Sequence, residues 1–198
     1  MIRKKKPVAM TKRERIQAAI HGEAVDQVPY SLWSHLPGID LDPVENAEKT
    51  YAFYQTYDVD ILKTMNNGMY SIEDFGAKVD YSDIAKGGVA KIVDTPVKTV
   101  DDWEKVQPVS LHAGAMAREQ RYLKLLLDKT KGEVPVVFTI FSPLTTANKL
   151  CPHMMDHIKQ GEGAKVKQAL KAITETTCGL VQRVIELGAD GIFFATQL

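Results

Sequence analysis

With 25 basic and 25 acidic side chains among 198 residues, the chain is neutral at pH 7 and long enough for one large domain or two small ones. That balance excludes recognition of nucleic acid or an anionic membrane by bulk charge, and no apolar run approaches the roughly 20 residues that cross a bilayer. Two cysteines, Cys151 and Cys178, cannot build a disulfide framework and suit a reducing cytoplasm, the expected location.

Residues 1–10 read as a flexible basic tail, with Pro7-Val8-Ala9-Met10 too short for a signal-peptide core. Thr11 and Glu14 form a capping box that starts a helix ending at Gly22. Val28-Pro29-Tyr30-Ser31-Leu32-Trp33 reads as a first strand, with its proline near the beginning, where only one ladder donor is lost. Asp42-Pro43 opens a second helix carrying Val44, Ala47, Tyr51 and Tyr54 at helical spacing. Residues 58–64 predict a second strand and Asn66-Asn67-Gly68 a turn.

Residues 69–112 are broken by Gly76, Gly87, Gly88 and Pro96 into short extended pieces. They read as an excursion from the core, with a hairpin and a short helix capped by Thr99. A helical stretch follows, with Met116, Tyr122, Leu123 and Leu126. Residues 134–141, rich in β-branched and aromatic side chains, predict the third strand. Helical pieces interrupted by Pro152 and Gly161 lead to a long helix over 165–187, which places Cys178 as a small buried hydrophobe. Ile192-Phe193-Phe194 predicts a fourth strand, apolar on both faces. Strands alternating with helices predict a parallel α/β sheet. The first strand is not followed by G-x-G-x-x-G and no G-x-x-x-x-G-K occurs, which argues against a nucleotide fold.

Candidate site residues are those near the carboxyl ends of the strands, where α/β folds place their chemistry. Asp60 shares a strand face with Asp58 and can orient or protonate a substrate; a cap or a structural aspartate is the alternative. His35 lies just beyond the first strand as a proton carrier or as an ordinary loop histidine. Lys63 points away from Asp60 and is read as a salt-bridge partner. Thr196 and Gln197 sit beyond the last strand. Cys151, His153 and His157 have the spacing C-x-H-x-x-x-H, but Pro152 interrupts the helix start and a fourth ligand is missing, so no metal site is assigned.

Four stretches in order carry a resemblance to a known family. They are Thr11-Lys-Arg-Glu-Arg-Ile-Gln-Ala-Ala-Ile20 before Val28-Pro29, Asp58-Val-Asp-Ile-Leu62, Pro135-Val-Val-Phe-Thr-Ile-Phe-Ser-Pro-Leu-Thr145 and Gly188-Ala-Asp-Gly-Ile-Phe-Phe194. In these the chain resembles the uroporphyrinogen decarboxylase family. The resemblance implies a (β/α)8 TIM barrel, of which residues 11–198 would supply about the first four βα units.

It further implies a carboxy-lyase acting on tetrapyrrole acetate groups in porphyrin biosynthesis, with no cofactor. Asp60 falls on the family's essential aspartate, which would stabilise a protonated pyrrole. The family's R-Q-A-G-R run is replaced by Ser34-His-Leu-Pro-Gly38, a substrate-contacting tyrosine falls on Lys149, and a polar pair falls near Thr196 and Gln197. His35, Thr196 and Gln197 are thus the expected substrate-binding residues. The missing arginines favour comparison with the superfamily's methyltransferases, which would require zinc and a corrinoid partner. A four-unit chain further predicts a second half-barrel chain or self-association, and a non-catalytic remnant is the third reading.

Overall fold

A computed structural model describes residues 9–197 of the chain. Residues 1–8, most of the expected tail, lie outside the described residues; Met10 is fixed by its amide, which donates to Asp26 at 2.9 Å. α1 (Lys12–Ile20) starts at the expected capping box: the Glu14 amide lies 3.2 Å from the Thr11 hydroxyl, and the Thr11 amide 2.8 Å from the Glu14 carboxylate.

Residues 28–33, expected to be the first strand, run extended but form no strand. The Asp60 amide donates to the Tyr30 carbonyl at 2.9 Å, yet the Tyr30 amide donates to the Asp60 carboxylate rather than to backbone. Pro29 has no donor to offer, so a ladder does not develop. Val28, Leu32 and Trp33 are exposed.

α2 (Pro43–Tyr57) is capped by the Asp42 carboxylate, which accepts from Val44 and Glu45 at 2.7 and 3.0 Å. It closes on Asp58, whose φ of 49° is left-handed and cannot belong to a strand. The expected strand over 58–64 therefore shrinks to β1 (Leu62–Lys63), and Asp58 and Asp60 do not share a strand face.

The excursion consists of α3 (Tyr70–Glu73), the antiparallel hairpin β2 (Lys78–Asp80) and β3 (Lys91–Asp94), and a 3-10 turn at Val100–Lys105. Thr99 caps that turn and Trp103 is fully buried beneath it. α4 (Gly114–Thr130) receives its cap from a distance. The Asp74 carboxylate accepts from the amides of Ala115 and Met116 at 2.9 and 2.7 Å. Only glycine fits at 114: φ is 62°, and an added Cβ would lie 1.9 Å from Asp74 Oδ1.

β4 (Val136–Phe141) leads into α5 (Pro143–Leu150), α6 (Met154–His157) and, past a kink at Gly161, α7 (Gly163–Glu186). β5 (Gly191–Ala195) follows. Among the described residues the main sheet has three parallel strands in the order β1-β4-β5, rather than four.

Period-two alternation divides the faces of β4. Val136, Phe138 and Ile140 are buried in the core with Leu62, Leu123, Leu126, Leu180 and Val184; each such apolar side chain contributes roughly 1.5–3 kcal/mol on burial. Thr139 and Phe141 belong to the other face. Lys63 pairs in register with Val137, and Thr139 with Phe193. Cys178, expected to be buried, is exposed, because the buried stripe of α7 runs through Val166, Ala169, Ile173, Thr176, Leu180 and Val184. No helix of the described residues is long and apolar enough to cross a membrane.

Candidate active site

At the amino-terminal side of β1, Arg15 of α1 is shared between two carboxylates. Its guanidinium meets Asp26 at 2.6 and 2.9 Å and the Met10 carbonyl at 2.9 Å, and it also pairs with Asp60. The Arg15 hydrogen bonds hold the Asp26 carboxyl well below the usual range. Asp60 is 1% exposed, and its second oxygen accepts from the Tyr30 amide at 3.1 Å. Each oxygen thus has a partner supplied by α1 or by 28–33, and together they bind the amino-terminal segments to the sheet.

At the opposite, carboxyl-terminal side of the strands lies a cavity of about 510 Å³, a size common among small-molecule sites. Lys63 of β1 lies within it, only 7% exposed. Its ammonium stands 3.9 Å from the centroid of Trp33 and 4.7 Å from that of Phe193. Ring faces stabilise a cation at these distances. Among the described residues it forms no ion pair, contrary to the sequence expectation, and burial alone lowers its pKa to about 8. Lys149 of α5 lines the same cavity, donates to the Gly68 carbonyl at 2.9 Å and lies 4.4 Å from the Phe141 centroid; burial lowers its pKa too. Among the described residues the cavity is bordered by two lysines and a histidine and by no carboxylate.

Behind the floor of the cavity is a buried polar chain. Asn66, at the cavity wall, donates to Glu119 at 2.8 Å and accepts from Thr64. Arg118 bridges Glu119 and Glu73, each at 3.0 Å, and Glu73 accepts from Tyr81. Burial raises the Glu119 pKa to about 7 against the opposing pull of Arg118. The network leaves the Asn66 side chain no rotational freedom, so the cavity wall is preorganised.

Of the sequence candidates, His35, Thr196 and Gln197 come together on this cavity. His35 packs edge-on against Trp33 at 5.0 Å, and the Gln197 backbone is pinned by the Thr145 hydroxyl at 2.7 and 2.8 Å. Asp60 is not among the residues that line the cavity: it precedes β1, whereas the cavity opens beyond it. Lys63 and Asn66 were not singled out from the sequence as site residues. The available signal was a lysine set among Ile61, Leu62 and Met65 in the expected second strand.

Among the described residues no three His, Cys, Asp or Glu side chains lie together to hold a metal. Within C-x-H-x-x-x-H, His157 is buried and its Nδ1 accepts from Trp103 at 3.0 Å, while His153 is exposed beside Asp156.

Parallel strands crossed over by helices, with a basic cavity at their carboxyl ends, define the architecture from which α/β-barrel enzymes are built. Residues 11–196 match the family model for uroporphyrinogen decarboxylase (URO-D), and the chain belongs to that family. A solved methyltransferase from Methanosarcina mazei superposes with a TM-score of 0.77 at 20% identity. The match covers 94% of this chain and 59% of that one, so this chain spans under two thirds of that neighbour's length. The likeness shows a TIM-barrel-like α/β fold. No curated protein matches the sequence.

Proposed function

We propose that this chain provides a carboxylate-binding active site of a carboxy-lyase that acts on the acetate side chains of a tetrapyrrole. Family membership supports the reaction class, and one observation carries the substrate class: Lys63, a buried ammonium without a carboxylate, facing a cavity. An anionic substrate would supply the missing counter-charge.

Loss of CO2 removes the negative charge of the reacting carboxylate, so an ammonium held against that group would oppose the reaction. Lys63 and Lys149 therefore suit the carboxylates that stay, and the reacting acetate belongs in the part of the cavity away from the two ammonium groups. A proton added to the pyrrole makes the ring an electron acceptor. The carbon–carboxyl bond then breaks, its electron pair neutralises the ring, and CO2 leaves an exocyclic methylene. Protonation of that methylene and loss of the ring proton yield the methyl group, for a net uptake of one proton. Lys63, with its pKa near 8, and His35 are the proton carriers at hand. The cationic ring intermediate would rest on aromatic faces. This gives Trp33 and Phe193 the stabilising role that the family resemblance had assigned to Asp60, which is held at the other end of β1.

The exposed Phe193 and Phe194 of β5 and the exposed 28–33 segment form apolar borders of the sheet. They suit a second half-barrel chain or another copy as the partner that completes the wall.

Fluorescence titration with uroporphyrin, together with analysis of uroporphyrinogen products under anaerobic conditions, tests the proposal. Binding that weakens roughly tenfold or more in Lys63→Met, as loss of a desolvated charge pair predicts, supports it. Equal binding by wild type and variant would overturn it. Methyl transfer from methylcobalamin to a thiol, with no CO2 release, would replace it with the methyltransferase reading.

A further inference from the structure

The surroundings of Lys63 suit a second kind of chemistry that does not depend on the decarboxylase reading. Most other lysines with described partners are tied to carboxylates: Lys12 to Asp58, Lys91 to Asp83, Lys98 to Asp94, Lys105 to Asp102 and Lys165 to Asp101. Each such pairing gives the ammonium a counter-charge from the fold itself. Among the described residues Lys63 has no such partner, and it opens on a cavity.

We propose that Lys63 is a carbonyl-reactive amine that forms an imine with a small aldehyde or ketone bearing a carboxylate. The neutral amine attacks the carbonyl carbon to give a carbinolamine. A proton reaches the departing oxygen, water leaves, and a protonated imine remains. No oxidant or reductant is required. The product carries its positive charge where the ammonium stood, above the rings of Trp33 and Phe193, so the contacts that stabilise the ammonium also stabilise the iminium. Lys149, whose ammonium is anchored to the Gly68 carbonyl, is the charge left to hold the carboxylate. Thr139 and Asn66 on the wall offer hydrogen bonds to the carbinolamine.

Burial supports the same reading: with a pKa near 8, about one Lys63 in ten is neutral at pH 7, far more than for an ordinary exposed lysine. Among the described residues the titratable groups lining the cavity with it are His35 and Lys149, with no carboxylate to raise that value.

The test is reductive trapping of the whole chain with glyoxylate and cyanoborohydride at pH 7, followed by peptide mapping. Lys63 should be alkylated roughly tenfold faster than any other lysine, the advantage that a lowered amine pKa provides. The fast phase should vanish in Lys63→Arg. Propionaldehyde, which lacks the carboxylate, should lose most of that selectivity in wild type, and Lys149→Met should slow glyoxylate but not propionaldehyde. Alkylation spread over exposed lysines, with Lys63 no faster than they are, would overturn the proposal; wild-type mapping alone decides this, whatever the variants' folding. Uroporphyrin binding by the wild-type chain, with no selective trapping of Lys63, would remove the imine and leave the carboxy-lyase reading standing. The reverse result would remove the latter alone.

Discussion

Below β1, Arg15 is divided between Asp26 and Asp60; above it, Lys63 faces two aromatic rings and a cavity with no carboxylate. Both are charged and nearly buried, and Asp60, which binds Arg15, lies only a few residues before Lys63 in the chain. One charge is neutralised by the fold, and the other has no ion-pair partner among the described residues. A buried pair is costly to break, whereas a buried lone charge is costly to keep. The amino-terminal end of the strands therefore serves stability, and the carboxyl-terminal end keeps its charge at some expense of stability, as ligand sites do.

Substitutions at the two ends should have opposite signs, and the largest effect belongs to the paired end. Arg15→Met leaves Asp26 and Asp60 without their counter-ion and should lower unfolding free energy by about 3–5 kcal/mol in urea titrations. A loss below about 1 kcal/mol would erase the contrast.

Lys63→Met removes the lone charge while keeping an unbranched apolar chain, and should raise stability at pH 7 by about 2 kcal/mol. The sign can be checked against pH. Folded Lys63 loses its proton near pH 8, the unfolded lysine near 10.5, so the unfolded state binds more protons between those values. Wild-type stability should rise through that window relative to the variant, and the difference should shrink as pH increases.

Glu119 sharpens the comparison because it lies behind the cavity yet is only half neutralised by Arg118. Its folded pKa of about 7 stands above the ordinary 4.5. The stabilisation from its protonated form is complete below pH 4.5 and is lost as pH rises through 7. Glu119→Gln should flatten that fall, by about 1–3 kcal/mol, in denaturation midpoints compared at pH 5 and 8. The smallest effect is expected at the rim. His35→Ala with Thr196→Ala should change stability by less than about 0.5 kcal/mol, since both side chains are exposed, while weakening uroporphyrin binding measurably.

Much of the architecture is legible in the chain. The Thr11–Glu14 capping box, the Asp42-Pro43 helix start, the strand at 136–141, the long helix before Gly188 and the hairpin between Lys78 and Asp94 follow from rules that act over a few residues. Legibility failed where the deciding partner is remote or competes with the local pattern. Residues 28–33 have strand composition, but the Tyr30 amide is taken by the Asp60 carboxylate and no ladder forms. Asp58 has strand neighbours, but it closes α2 in a left-handed turn. Cys178 falls beside the buried stripe of α7 rather than on it.

The site divides along the same line. Placement of His35, Thr196 and Gln197 beyond strand ends required only strand direction, and all three reach the cavity. The surroundings of Asp60 and Lys63 required the end point of α2, the register of β1 against β4 and the reach of Arg15 from α1: Asp60 meets Arg15, and Lys63 faces the cavity. The sequence by itself determined the capped helix starts at Thr11 and Asp42, the parallel α/β pattern and the family, because capping, periodicity and side-chain volume are local. Only the tertiary structure decided which charge is paired and which faces the cavity, because that depends on segments some 45 residues apart meeting at one atom.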